Sequence, residues 1–224
     1  MAGGLAGHVR RAWRESRGVL LGAFGGGVAL IATAFAAAVV SGVAPVLTVV
    51  DPAVTEQHGR LVGVLSTAGV VAWAGAAALA ALGATLVPAS RDRTALLIVA
   101  AVSAWLAVDD QLMIHEAVSA ALPSGELFVA AIYALVFAVL AIALRAWIPG
   151  RHAIVLAGAA LFLSASLVAD AASGLDLLPG SLDTLFEDSL KFIGIVYWAT
   201  FVAVRTRERV AAHRPLATGY SRAA

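Results

Sequence analysis

The sequence predicts an all-helical, polytopic integral membrane protein, with six transmembrane helices in one bundle and both termini cytoplasmic. Three observations carry this. Of the 224 residues 61% are hydrophobic and the mean hydropathy is +0.93, more apolar surface than a soluble domain of this length can hide from water. The apolar residues are grouped into stretches long enough to span and separated by breakers. Thirteen of the fifteen basic residues then fall on one side of the resulting topology.

The first span, 19–43, follows a basic segment, MAGGLAGHVRRAWRESRG. That order can also open a secretory signal, but the run is far longer than a signal core, so a retained helix is expected. Pro45 and Asp51-Pro52 mark the first connection, a loop in which Asp51, Glu56 and His58 are expected to be solvated. The second span, 61–87, stops at Pro88. The third, 94–120, ends before Pro123-Ser124-Gly125, and the fourth, 126–147, closes at Pro149-Gly150. The fifth, 153–172, gives way to Pro179-Gly180, and the sixth covers 188–204. Residues 1–18 are thus a basic cytoplasmic segment, 19–204 one transmembrane domain, and 205–224 a basic tail. The glycines of GAFGGG at 22–27 and of the second span (Gly63, Gly69, Gly75) are expected where helices approach closely.

The arginines set the orientation. Arg10, Arg11, Arg14 and Arg17, the loops near 91 and 150, and the arginines from Arg205 onward share one side, leaving Arg60 and Lys191 on the other. The positive-inside rule places the first group in the cytoplasm, with Trp13 and Trp147 at the same boundary. Acidic residues run the opposite way: eleven of fourteen lie on the outer half. The rule counts lysine and arginine, so it does not explain that excess.

Depth suggests what does. In DDQLMIHE, 109–116, Asp109 lies 16 residues beyond Arg93, roughly 24 Å at about 1.5 Å per residue. Asp170 lies 18 residues beyond His152, and Lys191 and Glu187 lie 14 and 18 before Arg205, depths of roughly 21–27 Å. The third, fifth and sixth spans therefore carry ionisable groups at one level, just beneath the outer boundary. Asp109, Asp110, Glu116, Asp170, Glu187 and Asp188 face one fixed cation, Lys191, and one titratable group, His115. Crowded carboxylates near lipid are relieved by protonation, by water or by a bound cation. The spacing predicts that Lys191 pairs locally with Glu187 or Asp188, its i−4 and i−3 neighbours.

The expected site is an acidic/His cluster near the outer leaflet, and its leading function is a metal-dependent, hydrolase-like membrane enzyme acting on a lipid or amphiphile. Asp109, Asp110, Glu187 and Lys191 are the catalytic candidates. Asp109, Asp110, His115, Glu116, Asp170 and Asp188 are the candidate ligands for a divalent ion, with Zn, Mn, Fe or Ca all compatible with carboxylate and imidazole donors. The metal would activate water and a spare carboxylate would act as base. Two other functions fit the same cluster: a proton- or cation-linked transporter, and a non-catalytic subunit or sensor held together by polar contacts. The absence of cysteine excludes disulfides, thiolate catalysis and Cys-ligated metal. Membrane lipids are the expected partners, with the basic termini meeting anionic headgroups rather than nucleic acid; a homo-oligomer is left open. His8, His152 and His213 read as surface residues among arginines.

Overall fold

The computed structural model describes residues 2–50, 52, 59–122, 125–147, 152–173 and 180–213, without the side chains of 2–12, 125–127, 130, 170–173 and 180–183. Among them the chain is helical and holds no strand. The order is α1 (Ala2–Val40), a 3-10 turn at Pro45–Thr48, α2 (Val64–Leu86), α3 (Arg91–Leu112), α4 (Ile114–Ala121), α5 (Gly125–Leu144), α6 (Ala153–Ser173) and α7 (Gly180–Ala212). The loop residues Asp51, Glu56 and His58 lie outside the described residues.

Among the described residues three helices are long and apolar enough to cross a membrane: Trp13–Val40, Val64–Leu86 and Arg91–Leu112. Ala131–Leu144 and Ala153–Ala169 are apolar but shorter. In α7 the acids and Lys191 at one end and the arginines from Arg205 at the other leave only 192–204 apolar, thirteen residues, fewer than a straight span needs. The expected third span, 94–120, is two helices, because the backbone of Met113 turns left-handed at φ 50°. The basic tail expected from Arg205 is helical as far as Ala212.

The outside of the bundle is apolar: Leu21, Val40, Val71, Leu135, Leu161 and Val168 all point outward. A water-soluble protein rarely shows so continuous an apolar surface, whereas lipid-facing helices require it. Inside, α7 is the central element, packed on α6, α2 and α1. An aromatic column links Trp73 to Trp198, Trp198 to Phe201, and Phe201 to Trp147, with ring centroids 6.1–6.3 Å apart. The buried Trp198 indole donates to Ser103 Oγ at 3.0 Å, so its polar edge is satisfied within the core.

The glycines that matter for packing are largely not the expected ones. A side chain at Gly22, Gly25, Gly26 or Gly75 would meet nothing within 4 Å. Gly63 serves a left-handed turn before α2 (φ 66°), and Gly27 and Gly69 do lie against α7, at Ile193 and Ile195. The tightest helix contacts are made on α7: a Cβ on Gly83 of α2 would run into Thr206, one on Gly158 of α6 would sit 2.6 Å from the Tyr197 ring, and one on Gly194 2.7 Å from Leu163. Tyr197 is pinned by donating its hydroxyl to Leu20 O at 3.3 Å, so the ring cannot yield freely. Gly158→Ala is therefore expected to lose about 1–3 kcal/mol by overpacking, seen as a lower thermal midpoint in detergent, while Gly75→Ala is neutral.

His152 is not a surface residue: it is 4% exposed. Its Nδ1 lies 3.2 Å from Ser16 Oγ and its Nε2 3.3 Å from Glu208 Oε1. The continuation of α7 past the apolar stretch explains this, because it lays Glu208 and Arg205 over the start of α6. Arg205 donates to Glu208 and to Trp147 O, both at 2.9 Å. His213 is half-buried, 3.5 Å from Asp92, which also accepts from Arg209 at 3.3 Å. The side chain of His8 lies outside the described residues.

Candidate functional site

The site is built on the break after Leu112. Ser90 caps the start of α3 by accepting from Arg93 N, and the helix runs unbroken to the left-handed Met113, whose N–H closes the last turn on Asp109 O. Positive φ is uncommon for a residue with a side chain and is held by its surroundings. Its effect here is to re-aim the chain, so that the first turn of α4 faces back onto α3. The His115 N–H then donates to Asp109 Oδ1 at 3.1 Å, and His115 Nδ1 lies 2.9 Å from Oδ2. Asp109 does for α4 what an N-cap carboxylate does, satisfying a free N–H at the positive end of the helix.

A third donor arrives from α5: the Tyr133 hydroxyl donates to Asp109 Oδ2. The Tyr133 ring stands edge-on to His115, centroids 6.3 Å apart, and stacks on Phe137 at 6.5 Å. Asp109 is 4% exposed, and these three bonds are what a buried carboxylate needs. With Nδ1–H committed to Asp109, the other nitrogen of a neutral His115 is an acceptor. That nitrogen, Nε2, lies 3.9 Å from Glu116 Oε1, and the imidazole is 29% exposed. The hydrogen bond to Asp109 holds the His115 pKa above its ordinary value, with the Asp109 and Glu116 charges adding to it; burial and Lys191 oppose.

The neighbouring aspartate does something else. Successive residues on a helix point about 100° apart, so Asp110 turns from α5 toward α7 and forms an ion pair with Lys191. Lys191 thus reaches across helices, where spacing alone predicted a local partner; Glu187 and Asp188 contribute further negative charge around it from their own helix. Beside the pair is a cavity of about 30 Å³ lined by Ser66, Gly69, Asp110, Asp188 and Lys191 among others, room for a water or two.

Of the eight residues singled out, Asp109 meets His115, with Glu116 exposed at its margin, and Asp110 meets Lys191, with Asp188 on the same small cavity and Glu187 half-buried nearby. The side chain of Asp170 lies outside the described residues. Among the described residues no group of three or more His, Asp and Glu side chains is placed to hold a metal ion. The carboxylates are instead divided: Asp109 is engaged by three donors and Asp110 by an ammonium. Tyr133 is the member that the sequence reading missed. Its signal was a single tyrosine inside an otherwise apolar stretch, LFVAAIYALVFAVLAIAL, which a search confined to carboxylates, histidine and lysine passes over.

No curated protein and no solved structure matches the chain. Its residues 24–204, the segment holding all of the site, match the model of one family. The chain belongs to that family, described as a domain of unknown function (DUF8692).

Proposed function

We propose that this protein is a membrane-embedded hydrolase acting on a lipid or other amphiphile at the outer leaflet, with His115 as the general base. What supports the reading is the clasp that Asp109 and Tyr133 make on His115: it fixes the ring and presents Nε2 as a proton acceptor. In the reaction, Nε2 takes a proton from water as the water oxygen bonds to an ester or amide carbonyl carbon. The bond from that carbon to the leaving oxygen or nitrogen then breaks, and the leaving group recovers the proton from Nε2. Asp109 and Tyr133 are positioning residues that keep the base in one tautomer. Lys191, within electrostatic reach of His115, favours the negative charge that develops on the carbonyl oxygen. The base is thus the histidine rather than a spare carboxylate, since the buried carboxylate is already engaged.

The test is turnover of ester and amide lipids in mixed micelles by the purified chain and by His115→Ala. Wild-type cleavage of any member of the panel, lost in the variant, supports the reading; cleavage that survives in the variant sinks it. Metal content of the same preparation decides whether a divalent ion joins the site, stoichiometric metal adding it to this mechanism.

A further inference from the structure

The bundle has a gap between α5 and α6. Among the described residues α5 packs on α3 and α4 and nowhere on α6. Between α5 and α6 lies a cavity of about 430 Å³. Leu140 and Ala141 of α5 form one wall and Leu156 and Ala160 of α6 the other, with Trp73 and Trp198 as the floor. The lining is apolar apart from the indole edges and one hydroxyl, Ser164. The volume is roughly three times the ~150 Å³ of an apolar cavity that holds a single benzene, so it suits an alkyl chain rather than a compact solute.

Two residues join this cavity to the polar site. Leu106 lines it one helical turn before Asp109, and Phe137 lines it one turn after Tyr133, on whose ring it stacks. We infer that the cleft between α5 and α6 seats one acyl chain of a membrane lipid, entering sideways from the bilayer, with the polar group at the chain's head delivered to Asp109, His115 and Tyr133. The occupant follows from the surroundings. Both helices are apolar, their outward faces carry Leu135 and Leu161, and the medium around such faces is itself alkyl chain. The inference rests on the proposed role of His115 only for what happens at the head; filling of the cleft by the chain does not depend on it.

The experiment is photolabelling of the full chain, reconstituted in phosphatidylglycerol vesicles containing a long-chain fatty acid with a diazirine at its methyl end, followed by peptide mapping. In the wild type the label is expected on 137–144 and 156–164. In Ala160→Phe, where a ring enters the cleft from its exposed rim, labelling there is expected to fall roughly tenfold, the effect of about 1.4 kcal/mol. His115→Ala should label as the wild type does while failing to turn over lipid. Wild-type label spread evenly over the lipid-facing helices overturns the acyl-chain assignment, and the wild-type map alone decides it if the Phe variant does not fold. Cleft labelling with unchanged turnover in His115→Ala leaves the chain site standing and removes the catalytic reading.

Discussion

Asp109→Asn is expected to lower turnover by about 10²–10⁴-fold, nearly as much as loss of His115 itself, since it disables the same proton transfer. The substitution keeps the shape of the side chain but replaces one carboxylate oxygen with a donor. One amide oxygen cannot serve the His115 N–H, the His115 Nδ1–H and the Tyr133 hydroxyl together. Where the amide N–H meets Nδ1, the imidazole proton shifts to Nε2, the nitrogen that has to be free. Tyr133→Phe removes one donor from three and leaves the tautomer alone, so its effect is about tenfold at most, in keeping with about 0.5–1.5 kcal/mol for one hydrogen bond. The pH profile separates positioning from folding. The base works when neutral, so activity rises with pH through the His115 pKa, which Asp109 holds above the ordinary value against Lys191. Removing the Asp109 charge lowers that pKa, and the acid limb of the residual Asp109→Asn activity moves to lower pH. A folded Asp109→Asn enzyme with wild-type turnover and an unmoved acid limb would make the aspartate a helix cap alone.

The helical class was legible because it depends on composition and hydropathy, quantities that a linear string preserves. Depth counting from the arginines put Asp109 and Lys191 at one level; it is Asp110, the next residue on α3, that meets Lys191. Legibility ended where contacts depend on which way a chain turns. Nothing in DDQLMIHE announces that Met113 adopts a left-handed backbone, and without that turn Asp109 and Glu116 would sit on one stripe of a continuous helix with His115 off to the side. The turn brings His115 onto Asp109 and leaves Glu116 in solvent, 57% exposed. Likewise, the i,i+4 spacing in FEDSLK favours a local pair for Lys191, yet its ion pair is with Asp110 across the helix interface, a carboxylate only 11% exposed, where water screens the attraction less than at a half-exposed neighbour on the same helix. The opposite end of the bundle was hidden for a related reason. His152 sits among arginines in the sequence, but the extension of α7 covers it with Glu208, and extension past an apolar stretch leaves no hydropathy signal.

The pair between Asp110 and Lys191 should behave asymmetrically when it is broken. Lys191→Met leaves an aspartate whose side chain is 11% exposed without its cation, between α2 and α7. Breaking a fully buried pair in this way costs about 3–5 kcal/mol; because the lysine side chain was 35% exposed and water reaches it, about 2–3 kcal/mol is expected here. Asp110→Asn strands the ammonium instead, but Asp188 and Glu187 lie on the same helix at i−3 and i−4 and already act on it, so the loss is smaller, about 1 kcal/mol. The double variant Asp110→Asn, Lys191→Met removes both charges from a site flanked by Phe192, Ile195 and Leu65. It should recover most of the loss, giving a coupling of about 1–3 kcal/mol in a double-mutant cycle on thermal unfolding in detergent. Simple additivity of the two single losses would mean that the ion pair contributes nothing and that water holds each charge separately. Recovery in the double variant, together with lost lipid turnover, would separate the stabilising role of the pair from the electrostatic one given to Lys191, since a methionine can restore packing but cannot face a developing negative charge.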